Sequence, residues 1–338
     1  MAFLNHNKQV IRNLALLLLI LNQSRLINAQ NLEISGKPIA EIFTDFHVNL
    51  NDTMKTTGFG LNRAYFGYNF IPASNFSATI ILNIGTPSDL PSSAVPRRYA
   101  YIREASLSYS KDKLHLYFGI TGTRIFEYQQ KFWGKRYLAN TFQSLNGYGT
   151  VADLGFAADY QFSDKISGDI TIMNGEGYCD IQKDNGVKSS AGLTISPSNK
   201  LSFRVYSDIT KNTSIWQYTF VGFAGFRNDH FRIGADFNYK TAIDLTHGHN
   251  GWGISGTGAI SLSKKAEIFT RYDYSASVAA DSDTDTWKYK MDGDFLIAGF
   301  QYAFSQNVKM SLNYQETIPD NQVNPASSFI YLNALFKF

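Results

Sequence analysis

No apolar run in the 338 residues is long enough to cross a bilayer as a helix. The longest, Leu14 to Leu21, spans about eight residues where a helical span needs roughly 20, so a bundle of membrane helices is excluded. The mean hydropathy of −0.21 agrees. Cysteine is almost missing. Cys179 alone makes no internal disulfide, and no cysteine follows the apolar run, where a lipid anchor would need one. A basic excess is missing too, once the leading segment is set apart. Lys8 and Arg12 precede the apolar run and Ile27-Asn28-Ala29 supplies a small residue after it, so residues 1–29 read as a secretory signal and 30–338 as the mature chain. That segment holds three of the 31 basic residues, Lys8, Arg12 and Arg25, and none of the 28 acidic ones. What remains is 28 against 28, which gives no support to a nucleic-acid partner.

What is abundant is aromatic rings, with 26 Phe and 20 Tyr. From Gly36 onward they fall in segments of about ten residues where apolar and polar positions alternate, the period-two pattern of strands with two unlike faces. Val308, Met310, Leu312 and Tyr314 oppose Lys309, Ser311, Asn313 and Gln315; Phe231, Ile233, Ala235, Phe237 and Tyr239 oppose Arg232, Asp236, Asn238 and Lys240. The pattern predicts sixteen strands. Eight lie near 36–50, 58–70, 76–86, 98–110, 113–121, 149–162, 166–174 and 188–196. The others follow near 200–209, 214–227, 230–240, 251–263, 265–277, 294–304, 307–316 and 328–338.

Short turns rich in Pro, Asn, Asp and Ser, such as Pro72 to Asn75 and Asn228-Asp229, alternate with mostly longer polar loops at about 51–57, 87–97, 122–148, 175–187, 210–213, 241–250, 278–293 and 317–327. Transmembrane barrels have this organisation, with tight turns on the periplasmic side. The expected fold class is all-β, a sixteen-stranded antiparallel transmembrane β-barrel over residues 30–338. A soluble sandwich would show the same alternation, but the leading signal, the alternation of connections and the charge on the polar face weigh against it. The final segment alternates through Ile330, Leu332, Ala334, Phe336 and Phe338, an aromatic ending that resembles the signal by which outer-membrane barrels are recognised for insertion.

Sixteen strands leave an aqueous lumen, whereas about eight are filled by their own side chains. The inward positions fit water: Arg63, Arg204, Arg232, Arg271 and Lys309, with Asp153, Asp169, Asp236 and Asp273, and also Glu41, Asp45, Asp208 and Glu267. Each Arg or Lys facing lipid at mid-membrane would cost about 2 to 4 kcal/mol. The longest loop, 122–148, combines bulky rings with charge through Glu127 to Tyr137. Folded into the mouth it would set Arg124, Lys131, Lys135 and Arg136 against Glu127 alone, a constriction with a mild preference for anions. The alternative is an extracellular loop packed on its neighbours.

The stretches Asn62 to Phe70, Lys131 to Tyr137, Gly147 to Gly155, Tyr160 to Lys165 and Asn174 to Tyr178 resemble those of the phosphate-selective porin O and P family in its Bacteroidetes form. The resemblance covers most of the mature chain and best residues 60–205. It implies a sixteen-stranded trimeric channel in the outer membrane, surrounded by lipid and lipopolysaccharide. Phosphate selectivity in that family depends on a ladder of lumenal arginines, and here inward Arg and Asp are mixed, so that selectivity does not carry over. The leading expectation is a porin passing small hydrophilic solutes by passive diffusion. The alternatives are a substrate-specific channel of the anion or phosphate type and a non-transport barrel acting as adhesin or anchor.

Other motifs point nowhere firmer. Gly251-x-Gly253-x-x-Gly256 matches a dinucleotide fingerprint but keeps strand period, which favours close packing of small residues. Asp281, Asp283, Asp285 and Asp292 resemble a calcium loop without its glycine and final glutamate, leaving an acidic loop as the default. His247-Gly-His249 has no third ligand nearby, and Cys179 reads as an idle loop thiol. With His47 and His115 inward, no catalytic residues, cofactor or metal are expected, and the chain does not read as an enzyme.

Overall fold

The computed structural model describes residues 35–51, 56–85, 98–182, 185–212, 214–278, 287–320 and 325–338. The expected signal segment 1–29, the loop 87–97 and Asp281, Asp283 and Asp285 lie outside them. The first eight strands are β1 (Ser35–Asn49), β2 (Thr57–Ala73), β3 (Phe76–Gly85), β4 (Tyr99–Lys111), β5 (Leu114–Gly122), β6 (Ala152–Ser163), β7 (Ile166–Met173) and β8 (Lys188–Ile195). The next eight are β9 (Leu201–Asn212), β10 (Ile215–Arg227), β11 (Phe231–Lys240), β12 (Asn250–Ser261), β13 (Ala266–Val278), β14 (Gly293–Ala303), β15 (Val308–Pro319) and β16 (Ser327–Lys337). Every strand read from the alternation is present, with ends displaced by at most three residues.

Each strand pairs antiparallel with its sequence neighbour, and β1 pairs with β16 from Glu41↔Lys337 to Asn49↔Phe329, closing the barrel. Closure is the physical requirement of the environment the pattern implies, because an open edge in hydrocarbon would strand a row of N–H and C=O groups. Among the described residues no helix is long and apolar enough to cross a membrane. The faces are inverted relative to a water-soluble protein. In β10, Trp216, Tyr218 and Phe220 are exposed on the outside while Gln217 and Thr219 are buried inside. The same register carries round the sheet, with Leu332 and Phe336 outward and Asn333 inward on β16.

One irregularity matters for the lumen. Between β3 and β4 the pairing runs Ile81↔Glu104 and then Leu82↔Ile102, so Arg103 is an extra residue without a partner, a β-bulge. The inward phase of β4 switches there, from Tyr101, opposite the inward Asn83, to Ser106, opposite Thr79. Arg103 and Glu104 sit at the switch, 3.6 Å apart as an ion pair.

Candidate pore constriction

The 122–148 segment leaves β5, crosses the barrel interior and returns to β6, held by the inward faces of strands all round the wall. Arg124 makes the first attachment. Its Nε donates to Asp159 Oδ1 at 2.8 Å and its Nη2 to Oδ2 at 3.1 Å, a bidentate pair with β6, while Arg204 on β9 donates to the Arg124 carbonyl at 2.9 Å. A helix over Glu127–Trp133 then points Phe132 at β10 and β11. The Phe132 ring meets Phe223 edge-on at 5.0 Å and fills the space over two glycines: a β-carbon at Gly225 would lie 2.6 Å from it and one at Gly234 2.7 Å. Gly134, at φ 68, ends the helix in the left-handed region and reverses the chain.

Beyond that turn the attachments continue. Trp133 packs on Phe269 at 5.8 Å, and the Lys135 ammonium, 1% exposed, pairs with Glu267 on β13. Burial and the neighbouring Arg232 guanidinium bring the Lys135 pKa down to about 8, against the pull of Glu267. The Tyr137 hydroxyl donates to Gln301 on β14 at 2.9 Å, and Arg271 donates to the Asn140 carbonyl at 2.5 Å. A short second helix, Phe142–Leu145, places Gln143 where it donates to Asp236 at 3.1 Å and to Asn238 at 2.8 Å on β11. Lys240 then donates to the Gly147 carbonyl at 2.8 Å. Two apolar clusters anchor the segment, one joining Trp133, Tyr137 and Leu138 to Phe43 and Ile297, the other joining Phe126, Phe142 and Tyr148 to Tyr206 and Val221.

These contacts make a testable expectation. Tyr137→Phe removes a buried donor and leaves Gln301 Oε1 without it, a loss of about 1 to 2 kcal/mol in loop docking. Amide hydrogen exchange over residues 128–146 should accelerate by the corresponding factor while the strands stay protected; unchanged exchange would show that the bond carries none of the docking.

The charges of the loop divide into neutralised and unneutralised groups. Arg124 is matched by Asp159 and by Glu127 at 3.5 Å, and Lys135 by Glu267, so counting the loop's own charges omits two wall carboxylates. On the wall, Arg204 pairs with Asp169 at 2.7 Å, Arg232 with Glu267 at 3.4 Å and Arg271 with Asp273 at 2.5 Å. Asp153 accepts backbone N–H groups from Leu154 and Gly175, and Asp236 accepts from Gln143 and Asn238. Lys131 is exposed in a chamber of about 220 Å³ that also includes His115, Asp159 and Asp169, and Lys309 lines one of about 560 Å³ near the short-turn rim.

Arg136 is different. The charges of Arg63 on β2 and Arg103 at the β4 bulge both act on it, all three guanidinium ions act on Tyr65, and Tyr101 and Tyr178 lie beside them. Arg63 donates to the Tyr65 hydroxyl at 2.9 Å, Asn83 donates to Tyr101 at 2.7 Å, and Tyr101 stacks on Tyr178 at 5.9 Å. Arg103 has Glu104; Arg63 and Arg136 have no ion pair among the described residues. Arg136 Nη2 and Arg103 Nη1 are buried without a hydrogen-bond partner. Burial and the charge of Arg63 lower the Arg136 pKa to about 10. Sequence alternation finds Arg63 and, from the loop, Arg136, but it misses Arg103 because the bulge breaks the period at that residue. The tyrosines carried no signal beyond their abundance.

The motifs set aside also find places. Gly251 and Gly253 are closely packed, with Ile243 and Phe142 over them, whereas Gly256 faces open space. His249 stacks on Trp287 at 3.9 Å, and His47 Nδ1 lies 2.7 Å from Asp45.

The solved structures whose fold this chain resembles include outer-membrane proteins and porins. They include OmpF of Salmonella typhi in complex with daunomycin, at TM-score 0.65 and 10% identity over 90% of this chain and 98% of that one. The outer membrane channel DcaP of Acinetobacter baumannii matches at TM-score 0.64 and 12% identity over 90% and 97%. An anion-selective porin from Comamonas acidovorans matches at TM-score 0.63 and 8% identity over 90% and 100%. At these identities the likeness is one of fold. No protein-family model and no curated protein matches the chain, so the resemblance to the O and P porins rests on its motifs.

Proposed function

We propose that this chain is an outer-membrane diffusion channel for small hydrophilic solutes, narrowed by the 122–148 segment and preferring anions. The observation that carries the reading is the Arg63, Arg103 and Arg136 group, three cations with one paired carboxylate beside the segment that crosses the lumen. Fixed positive charge in a narrow, low-dielectric opening concentrates anions and repels cations. The anion-selective porin among the similar folds supports the same direction. A signal at residues 1–29 would deliver the chain across the inner membrane, and the motif resemblance favours a homotrimer in a membrane of phospholipid and lipopolysaccharide.

The second reading, a channel for one class of anion, draws on the three tyrosines that frame the arginines, since ring faces and hydroxyls add selectivity that charge alone does not. The test is conductance of the purified protein in planar bilayers under a salt gradient. The expected result is ohmic steps grouped in threes, with a zero-current potential of anionic sign. Saturable block by a single solute selects the second reading. Silence would leave an adhesin or anchor, and a cationic sign would remove the role given to the arginines.

A further inference from the structure

Between the crossing loop and the barrel wall at β11 to β13 lies a small cavity of about 10 Å³. The loop lines it with Gln129 and Trp133 from the first helix and with Thr141 at the start of the second. The wall lines it with Asp236, Ser255 and Arg271, which the pairings Asp236↔Ser255 and Thr257↔Arg271 bring to neighbouring rows of the lumenal face. Gln129, Trp133, Thr141, Ser255 and Arg271 are each at most 5% exposed, so bulk solvent reaches little of it.

The two sides of the cavity differ in how their polar groups are used. On the wall, Asp236 accepts from Gln143 and Asn238, and Arg271 donates to Asp273 and to the Asn140 carbonyl. On the loop, both amide atoms of Gln129, the Trp133 indole nitrogen and the Thr141 hydroxyl are buried, and none has a hydrogen-bond partner among the described residues. These are all the polar side-chain atoms the three residues possess. Thr141 does not even spend its hydroxyl on capping the helix it precedes. Buried polar groups are almost always paired, with protein or with ordered water, and four unpaired atoms around one cavity call for a shared partner.

The chemistry of the lining decides what that partner is. A cation would lie against the Arg271 guanidinium and the Trp133 indole N–H, which are donors only. An anion would lie against the Asp236 carboxylate and the Gln129 amide oxygen, which are acceptors only. The partner must therefore be neutral and must donate and accept at once. The volume holds about one water molecule and nothing larger.

We propose that this cavity is a binding site for a single water molecule, which bridges Gln129, Trp133 and Thr141 of the loop to Asp236 on the wall. The water ties the two helices of the loop to each other as well as to the barrel, so the position of the constriction is set by loop, wall and solvent together. The proposal depends neither on the membrane reading nor on what the lumen conducts.

The experiment is amide hydrogen exchange over residues 128–146 of the full-length folded protein in detergent micelles. Thr141→Val keeps the shape of the side chain and removes its hydroxyl. If the hydroxyl holds the water, exchange of the loop should accelerate about fivefold while the strands stay protected. If the cavity is dry, the methyl group replaces an unpartnered buried hydroxyl and exchange should slow; slower or unchanged exchange overturns the proposal. Gln129→Met should accelerate exchange in the same way. Because both variants lose the same water, the double variant should fall well short of the product of the two single effects, and a full product overturns the shared molecule. A crystal structure of the wild-type protein, soaked in bromide, decides the matter even where a variant fails to fold. One water within about 3.2 Å of Gln129 and Thr141 is the expected result, and an anomalous bromide peak or no density at all overturns it.

Discussion

Arg103→Glu together with Arg136→Glu is expected to turn the pore from anion-preferring to cation-preferring, with a change of at least about tenfold in the permeability ratio, equivalent to roughly 1.4 kcal/mol. Arg136 is chosen because it makes no ion pair among the described residues, and Arg103 because its pair with Glu104 is long, at 3.6 Å. Arg63 is left in place because it donates to Tyr65 and to Asn140 and so helps hold the loop. Reversal at Lys131, which is exposed in the chamber of about 220 Å³, should act in the same direction but more weakly. An unchanged zero-current potential in the double variant, with normal folding, would mean that ions do not pass beside these arginines.

Glu267→Gln should produce the largest loss of stability. Glu267 holds both Lys135 and Arg232, and its removal leaves a nearly fully buried ammonium beside a guanidinium with no counter-charge. Breaking a buried pair on one side costs about 3 to 5 kcal/mol, and the partial exposure of Glu267 and Arg232 argues for the lower end, about 3. Urea unfolding in lipid vesicles would measure it, and single-channel records should become noisier as the loop loosens.

The pH dependence provides a separate check. The Lys135 pKa, about 8 in the folded protein against 10.5 ordinarily, means that the unfolded chain binds more protons in that window. The contribution of Lys135 therefore favours the folded state increasingly as pH rises from about 8 to 10.5. In the variant the loss should shrink as pH rises toward about 8, where the wild-type ammonium gives up its proton, and stay level above that, since a neutral amine needs no counter-charge. A loss that grows with pH would contradict the burial argument.

The barrel was legible in the sequence because every strand separates lipid from water. A wall with two unlike surroundings imposes strict alternation, and Trp216 to Phe220 or Val308 to Gln315 show it without help from any distant residue. Alternation is also why Arg103 was missed: a bulge adds one residue and reverses the phase, and nothing within β4 announces where that happens. The loop was legible only in outline. Its rings and charges marked it as unusual, but the partners that fix it, Asp159, Phe223, Glu267 and Gln301, come from four separate strands that the fold alone brings opposite it. The loop's charge count of +3 therefore overstated its free charge, and nothing in the sequence ties Gly225 and Gly234 to the Phe132 ring that lies over them.

The seam between β1 and β16 imposes an order on assembly. Its ladder joins Glu41 to Lys337 and Asn49 to Phe329, segments from opposite ends of the polypeptide, so it can zip only after the whole chain is available. Until then the intermediate is a gutter with two raw edges and an outer face of exposed rings, the kind of species that pairs with its own copies. A ribosome that stalls before Ser327 therefore yields an aggregation template and not a narrower pore. Contacts so distant in sequence also make closure slow, which leaves a long interval in which the unfinished chain depends on an escort that keeps it apart from others.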